Sequence, residues 1–176
     1  MSANLLLLQF CSFPSFFGRI IPWFTQAADG VGHVDLVLPN GTLLGAQHEA
    51  GLGDQPAGVQ IRPPDYGGMV GKVRVALPVT TTGYVDAMKF AHAQIGKPYD
   101  TADITAFVVG RRLSRQFLGA ADWRDESSWF CSELQARVAE VGKAFRYLLA
   151  SPDYQVTPGG LLLACSAIAP AIKVRT

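Results

Sequence analysis

Apolar positions along the first part of the chain come in brief runs bounded by Gly, Pro and Asn, the pattern of strands rather than helices. Residues 4–10 predict a short buried strand. Residues 33–38 (HVDLVL) and 42–47 flank Pro39-Asn40-Gly41, and Asn-Gly between two apolar runs signals a β-hairpin. A Gly- and Pro-rich loop covers 51–64, with a brief strand at 59–62, and residues 70–77 (VGKVRVAL) alternate as a further strand. Helical spacing then takes over. Val85, Met88, Ala91 and Ile95 fit one face of a helix over 83–95, capped by Thr81 or Thr82 and stopped by Gly96-Lys97-Pro98. Further helices are expected at 16–26, capped by Ser15, at 101–117 and at 128–144. A short helix or buried turn is expected at 161–165, and an edge strand at 172–174. The layout is α+β, with an antiparallel sheet carrying His33 packed against helices, one of which carries Cys131.

Length and charge narrow the picture. A chain of 176 residues favours one domain spanning 1–176. A net charge of +1 lacks the basic face that a nucleic-acid binder needs, so no nucleic-acid partner is expected. The tight cluster Arg111, Arg112 and Arg115 reads as a solvated helix face. Three widely spaced cysteines, Cys11, Cys131 and Cys165, do not form a disulfide framework, and no pair has zinc-ligand spacing. No metal or organic cofactor is expected. No Lys or Arg precedes Arg19, and Pro14, Gly18 and Pro22 interrupt the apolar segment that follows. These features fit neither a signal peptide nor a spanning helix, and a cytoplasmic or phage-associated setting is expected. A buried strand followed by a short helix is the simpler reading of this segment; membrane contact through Phe16, Phe17, Ile20, Ile21, Trp23 and Phe24 is the other.

Two residues carry the chemistry. Cys131, in Trp129-Phe130-Cys131-Ser132-Glu133, falls at an expected helix start, where partial positive charge and free N–H groups favour a thiolate and can bind a developing oxyanion. The same cysteine also suits a small buried core position. His33 opens an expected strand after a glycine-flanked turn, where an imidazole suited to proton exchange can face a cleft, or simply be hydrogen bonded in place. His48 and His92 are weaker candidates, His92 because its helix face reads as exposed. Cys11 and Cys165 lie in apolar runs and read as core residues.

Gly96-Lys97-Pro98-Tyr99-Asp100, Trp129-Phe130-Cys131-Ser132-Glu133-Leu134 and the hairpin from His33 to Gly41 resemble three elements of the NlpC/P60 cell-wall peptidases. Their order is inverted, with His33 roughly a hundred residues before Cys131, which resembles the circularly permuted branch that includes YiiX-like hydrolases and lecithin:retinol acyltransferase-like enzymes. The resemblance implies a papain-like fold of permuted topology, with Cys131 as nucleophile and His33 as base. It further implies that Tyr99 assists an oxyanion and that a peptide or peptidoglycan-like substrate is cleaved at an amide. A lipid-directed acyltransferase or esterase, or a catalytically silent component such as a phage-particle protein, are the alternatives. The family carries a polar side chain on the strand after the histidine strand to orient the imidazole. The hairpin alignment places Gly45 there, which has no side chain. Gln47, two residues along the same face, is the expected substitute. Glu49 is the next candidate and Asp35, on His33's own strand, the third. Asp100 is expected to cap the helix that follows it, and Glu133 to be structural.

Overall fold

The computed structural model describes residues 4–13, 31–48, 56–100, 127–145 and 156–174. The helices expected at 16–26 and 101–117, the arginine cluster and Glu49 lie outside these residues. Within these residues six strands form one antiparallel sheet: β1 (Asn4–Ser12), β2 (His33–Val37), β3 (Leu43–Gln47), β4 (Gly58–Arg62), β5 (Val70–Val79) and β6 (Ala171–Lys173). Their order is β4-β3-β2-β1-β5-β6. Among the described residues three helices accompany them: α1 (Thr81–Ala93), α2 (Cys131–Val141) and α3 (Pro158–Ser166). The architecture is therefore α+β with an open antiparallel sheet.

Alternation assigns the two sheet faces. Leu6, Leu8 and Phe10 of β1, Val34 and Leu36 of β2, Leu44 and Ala46 of β3, and Val75 and Leu77 of β5 join one buried cluster. Ala87 and Ala91 of α1 and Leu134, Val138 and Ala139 of α2 complete it from the helix side. Each fully buried Leu or Phe contributes roughly 1.5–3 kcal/mol. A second, smaller cluster holds Cys11, Leu43 and Met69, with Phe13, Val37 and Tyr66 packed against it. It sits over the alternate residues of the same strands, so the face carrying His33 and Asp35 is also covered. The β2–β3 hairpin turns where the Asn-Gly pair places it. Gly41 N–H donates to the Leu38 carbonyl at 2.8 Å, and Gly41 takes a positive φ of 85° that a glycine adopts without strain.

The helix α1 departs from expectation in phase and in cap. Thr80, rather than Thr81 or Thr82, is its N-cap, accepting from Gly83 N–H at 3.1 Å. Its buried residues are Gly83, Ala87 and Ala91, whereas Val85 and Ile95 are 43% and 42% exposed. Small residues face inward because α1 and the end of α2 approach closely. A Cβ on Gly83 would lie 2.4 Å from the backbone oxygen of Gly142. Hydrophobic periodicity misreads such a face, since what the contact needs is the absence of bulk. Gly83→Ala is expected to lower stability by about 1–3 kcal/mol through overpacking, read as a lower urea midpoint at unchanged m. An unchanged midpoint would show that the helices separate at no cost.

Among the described residues no helix is long and apolar enough to cross a membrane.

Candidate active site

Cys131 is the first residue of α2, and His33 the first of β2. The helix packs along β2 and β3, tied to the sheet where Gln135 Nε2 donates to the Leu44 carbonyl at 2.9 Å. Its start is fixed by neighbours distant in sequence. Trp129 N–H donates to the Pro98 carbonyl at 3.1 Å, and Asp100 N–H donates to the Trp129 carbonyl at 3.2 Å. The Gly96–Asp100 segment is itself bonded to β4, through Val59 N–H to the Lys97 carbonyl at 2.9 Å. The Trp129 indole N–H donates to Gln94 Oε1 at 3.0 Å. Two of the short segments singled out in the sequence thus lie side by side and set where the cysteine helix begins. Phe130 N–H donates to Glu133 Oε2 at 3.4 Å, so Glu133 turns back to cap its own helix. Asp100 accepts from Ser128 Oγ at 2.7 Å, and the helix it was expected to cap lies outside the described residues.

The pair comes together. Cys131 is near enough to His33 to raise the pKa of its imidazole. Both are buried, His33 at 3% exposure and Cys131 at 1%. On its other side the imidazole meets two oxygens: His33 Nε2 lies 2.9 Å from Asp35 Oδ1 and 2.8 Å from Tyr66 Oη. The Tyr66 hydroxyl in turn donates to Asp35 Oδ2 at 2.8 Å. Burial works to lower the His33 pKa. The Asp35 carboxylate and Cys131, each through charge and hydrogen bonding, outweigh it and raise the value to about 10.

Gln47 is placed differently from expectation. It is buried on β3, but no hydrogen bond joins it to His33; Asp35 and Tyr66 take the nitrogen instead. The reason is steric. A Cβ on Gly45 would sit 1.8 Å from Asp35 Oδ1, so the carboxylate fills the space that a side chain there would need. Sequence reasoning read the missing side chain at Gly45 as a gap to be filled from β3. The gap is filled from β2, by the third-ranked candidate.

Tyr66 was not anticipated. It opens the 3₁₀ turn Tyr66–Gly68, and turn residues between strands carry no periodic signal. Phe13 packs on both rings, with centroids 5.4 Å from His33 and 5.7 Å from Tyr66, and the Arg62 guanidinium lies 5.0 Å from the Tyr66 ring centroid. Burial, followed by the charges of Asp35 and Cys11, pushes the Tyr66 hydroxyl well above its ordinary pKa despite the opposing pull of Arg62, so it stays protonated.

Tyr99 is buried and packs between His48 and Phe130, with ring centroids 6.1 and 6.0 Å away. Burial first, then the charges of Cys131 and Asp100, raise its pKa, which keeps a donor O–H beside the sulfur's surroundings. His92 is exposed on α1. A cavity of about 530 Å³, walled by Gln9, Asp65, Met69, Lys72 and Arg74, touches neither His33 nor Cys131. Among the described residues no three metal-binding side chains cluster.

The three thiols are free and differ in setting. Burial, with the charges of Asp35 and Cys131, raises Cys11 well above its usual value, and burial raises Cys165 to about 12. Neither is a thiolate near neutrality, whereas Cys131 starts a helix and lies near enough to the His33 imidazole to raise its pKa. Iodoacetamide at neutral pH is therefore expected to modify Cys131 first, as read by peptide mass spectrometry of the folded protein. Faster modification of Cys11 or Cys165 would remove Cys131 as the reactive thiol.

No protein-family model and no curated protein matches this chain.

Proposed function

We propose that the chain is a thiol hydrolase that cleaves an amide through Cys131 and His33, in the manner of the permuted NlpC/P60 branch that its sequence resembles. The observation that carries the reading is a helix-start cysteine beside an imidazole whose pKa it raises, with that imidazole hydrogen bonded to a carboxylate. In this mechanism the thiol proton resides on the imidazole, giving a thiolate–imidazolium pair, and the sulfur attacks the carbonyl carbon. The first-turn N–H groups of α2, which have no carbonyl partner within the helix, stabilise the oxyanion together with the Tyr99 hydroxyl. The imidazolium then protonates the departing amine, and water resolves the thioester, returning the thiol. No step calls on a metal or organic cofactor.

The substrate class follows the resemblance: peptidoglycan stem peptides or related amides, with lipid esters as the alternative acyl donor. A second reading, a silent binding or structural component, draws on the burial of Cys131, since a substrate carbonyl reaches a sulfur at 1% exposure only after its covering residues move. Purified protein assayed with muropeptides, acyl-thioesters and phospholipids, beside Cys131→Ala, separates these readings. Release of an amine from muropeptides by the wild type alone supports the peptidase. Turnover of phospholipid alone supports the lipid reading, and no turnover of any substrate supports the silent one.

A further inference from the structure

We propose that Asp35 and Tyr66 are the positioning residues of His33, with Asp35 occupying from β2 the place that Gly45 leaves empty on β3. Hydrogen counting around the imidazole supports this. A tyrosine hydroxyl has one hydrogen, and that of Tyr66 goes to Asp35 Oδ2 at 2.8 Å. Towards His33, 2.8 Å away, the Tyr66 oxygen is therefore an acceptor. Asp35 Oδ1, at 2.9 Å, is an acceptor as well. Two acceptors at one nitrogen require a hydrogen on it, so Nε2 carries the proton in the neutral and in the charged ring. A lone pair there would face two oxygens at contact distance. With Nε2 committed, Nδ1 is the nitrogen that exchanges a proton with Cys131. The tautomer needed for a base is thus set by two residues that do not touch the sulfur.

The strand geometry makes Asp35 and Gly45 a matched pair. Leu36 pairs with Leu44 and Val37 with Leu43, and continuing that register brings Asp35 opposite Gly45. A side chain at position 45 and the present placement of the Asp35 carboxylate exclude each other, because the Cβ would lie 1.8 Å from Oδ1. Other charged or titratable groups around the ring are Cys131 at the start of α2 and Cys11, His33's partner on β1. Arg62 on β4 reaches the cluster through the Tyr66 ring.

The inference rests on the Cys131–His33 reading above, but its test does not depend on turnover. Histidine ring ¹⁵N shifts, recorded by two-dimensional NMR across pH, report the tautomer and the titration of His33 separately from activity. The wild type is expected to show the Nε2–H form and a titration far above that of a free histidine. Asp35→Asn, which keeps the shape, is expected to lower the titration point by roughly one to three units. Tyr66→Phe is expected to lower it less and to retain the Nε2–H form. An unchanged titration in Asp35→Asn, or an Nδ1–H tautomer in the wild type, overturns the proposal. The exchange itself is tested by Asp35→Gly with and without Gly45→Asp. A higher His33 titration point in the double variant than in the single one supports it, and no difference overturns it. If the wild type turns over a substrate, kcat of Asp35→Asn is expected to fall roughly 10²- to 10⁴-fold with KM little changed. Shifts as expected in a protein that hydrolyses nothing leave the positioning intact and sink the hydrolase reading alone.

Discussion

Cys131→Ala and His33→Ala are each expected to remove turnover by roughly 10⁴-fold or more, with no further loss in the double variant. Alanine at 131 deletes the atom that forms the acyl bond. Alanine at 33 leaves the thiol without a proton acceptor and the leaving group without a donor. Because the two side chains act as one unit, their effects do not add, and this non-additivity separates a shared chemical step from two independent structural losses. Folding is the necessary control. Cys131 and His33 are both buried, so truncation also opens a small void, and far-UV circular dichroism with a urea titration of each variant removes that ambiguity. Cys131→Ala that retains wild-type turnover, in a preparation of confirmed mass, would end the proposal that this sulfur is the nucleophile.

The second large effect is on stability against pH. The His33 imidazolium in the folded protein titrates at about 10, burial opposing the rise and Asp35 and Cys131 producing it. In the unfolded chain an ordinary histidine titrates near ~6.5. Below the unfolded value both states are protonated, and the full contribution of the paired imidazolium is present. As pH rises past it, the unfolded chain releases a proton that the folded imidazolium keeps, so stability falls until the folded group also titrates. In the wild-type pair that proton is the thiol's own and folding takes up none, so the effect is read in Cys131→Ala, where Asp35 still holds the imidazolium. The window that isolates His33 is roughly pH 6.5 to 8, before ordinary cysteines and tyrosines begin to ionise in the unfolded chain. Urea midpoints measured at intervals across that window are expected to fall steadily in Cys131→Ala. They are expected to be much flatter when Asp35→Asn or His33→Gln is added. A Cys131→Ala midpoint that stays constant or rises across the window would mean that Asp35 does not hold the imidazole in its charged form.

Much of the backbone was legible along the chain because its signals are local. The apolar runs at 4–10, 33–38 and 70–77 lie within β1, β2 with its flanking Leu38, and β5, and the Asn40-Gly41 turn joins β2 to β3 where two strands meet an obligatory reversal. The helix expected at 128–144 starts within a turn of the observed Cys131. Residue type left three cysteines and three histidines; the expected helix start at Cys131, the expected strand start at His33 and the resemblance to a known family made these two the pair to look for. Tertiary structure decided the rest, because each remaining question depended on what lies across a strand or beneath a helix. The inward face of α1 is its small side, Gly83, Ala87 and Ala91, since α2 ends against it, and no count of apolar residues reveals a neighbour's distance. The partner of His33 turned on volume: Gln47, Glu49 and Asp35 all had the required face, but only the packing of β2 on β3 shows that the space at Gly45 belongs to the Asp35 carboxylate. Tyr66, reaching back over 33 positions from a turn, closes that arrangement through a contact that no sequence periodicity encodes.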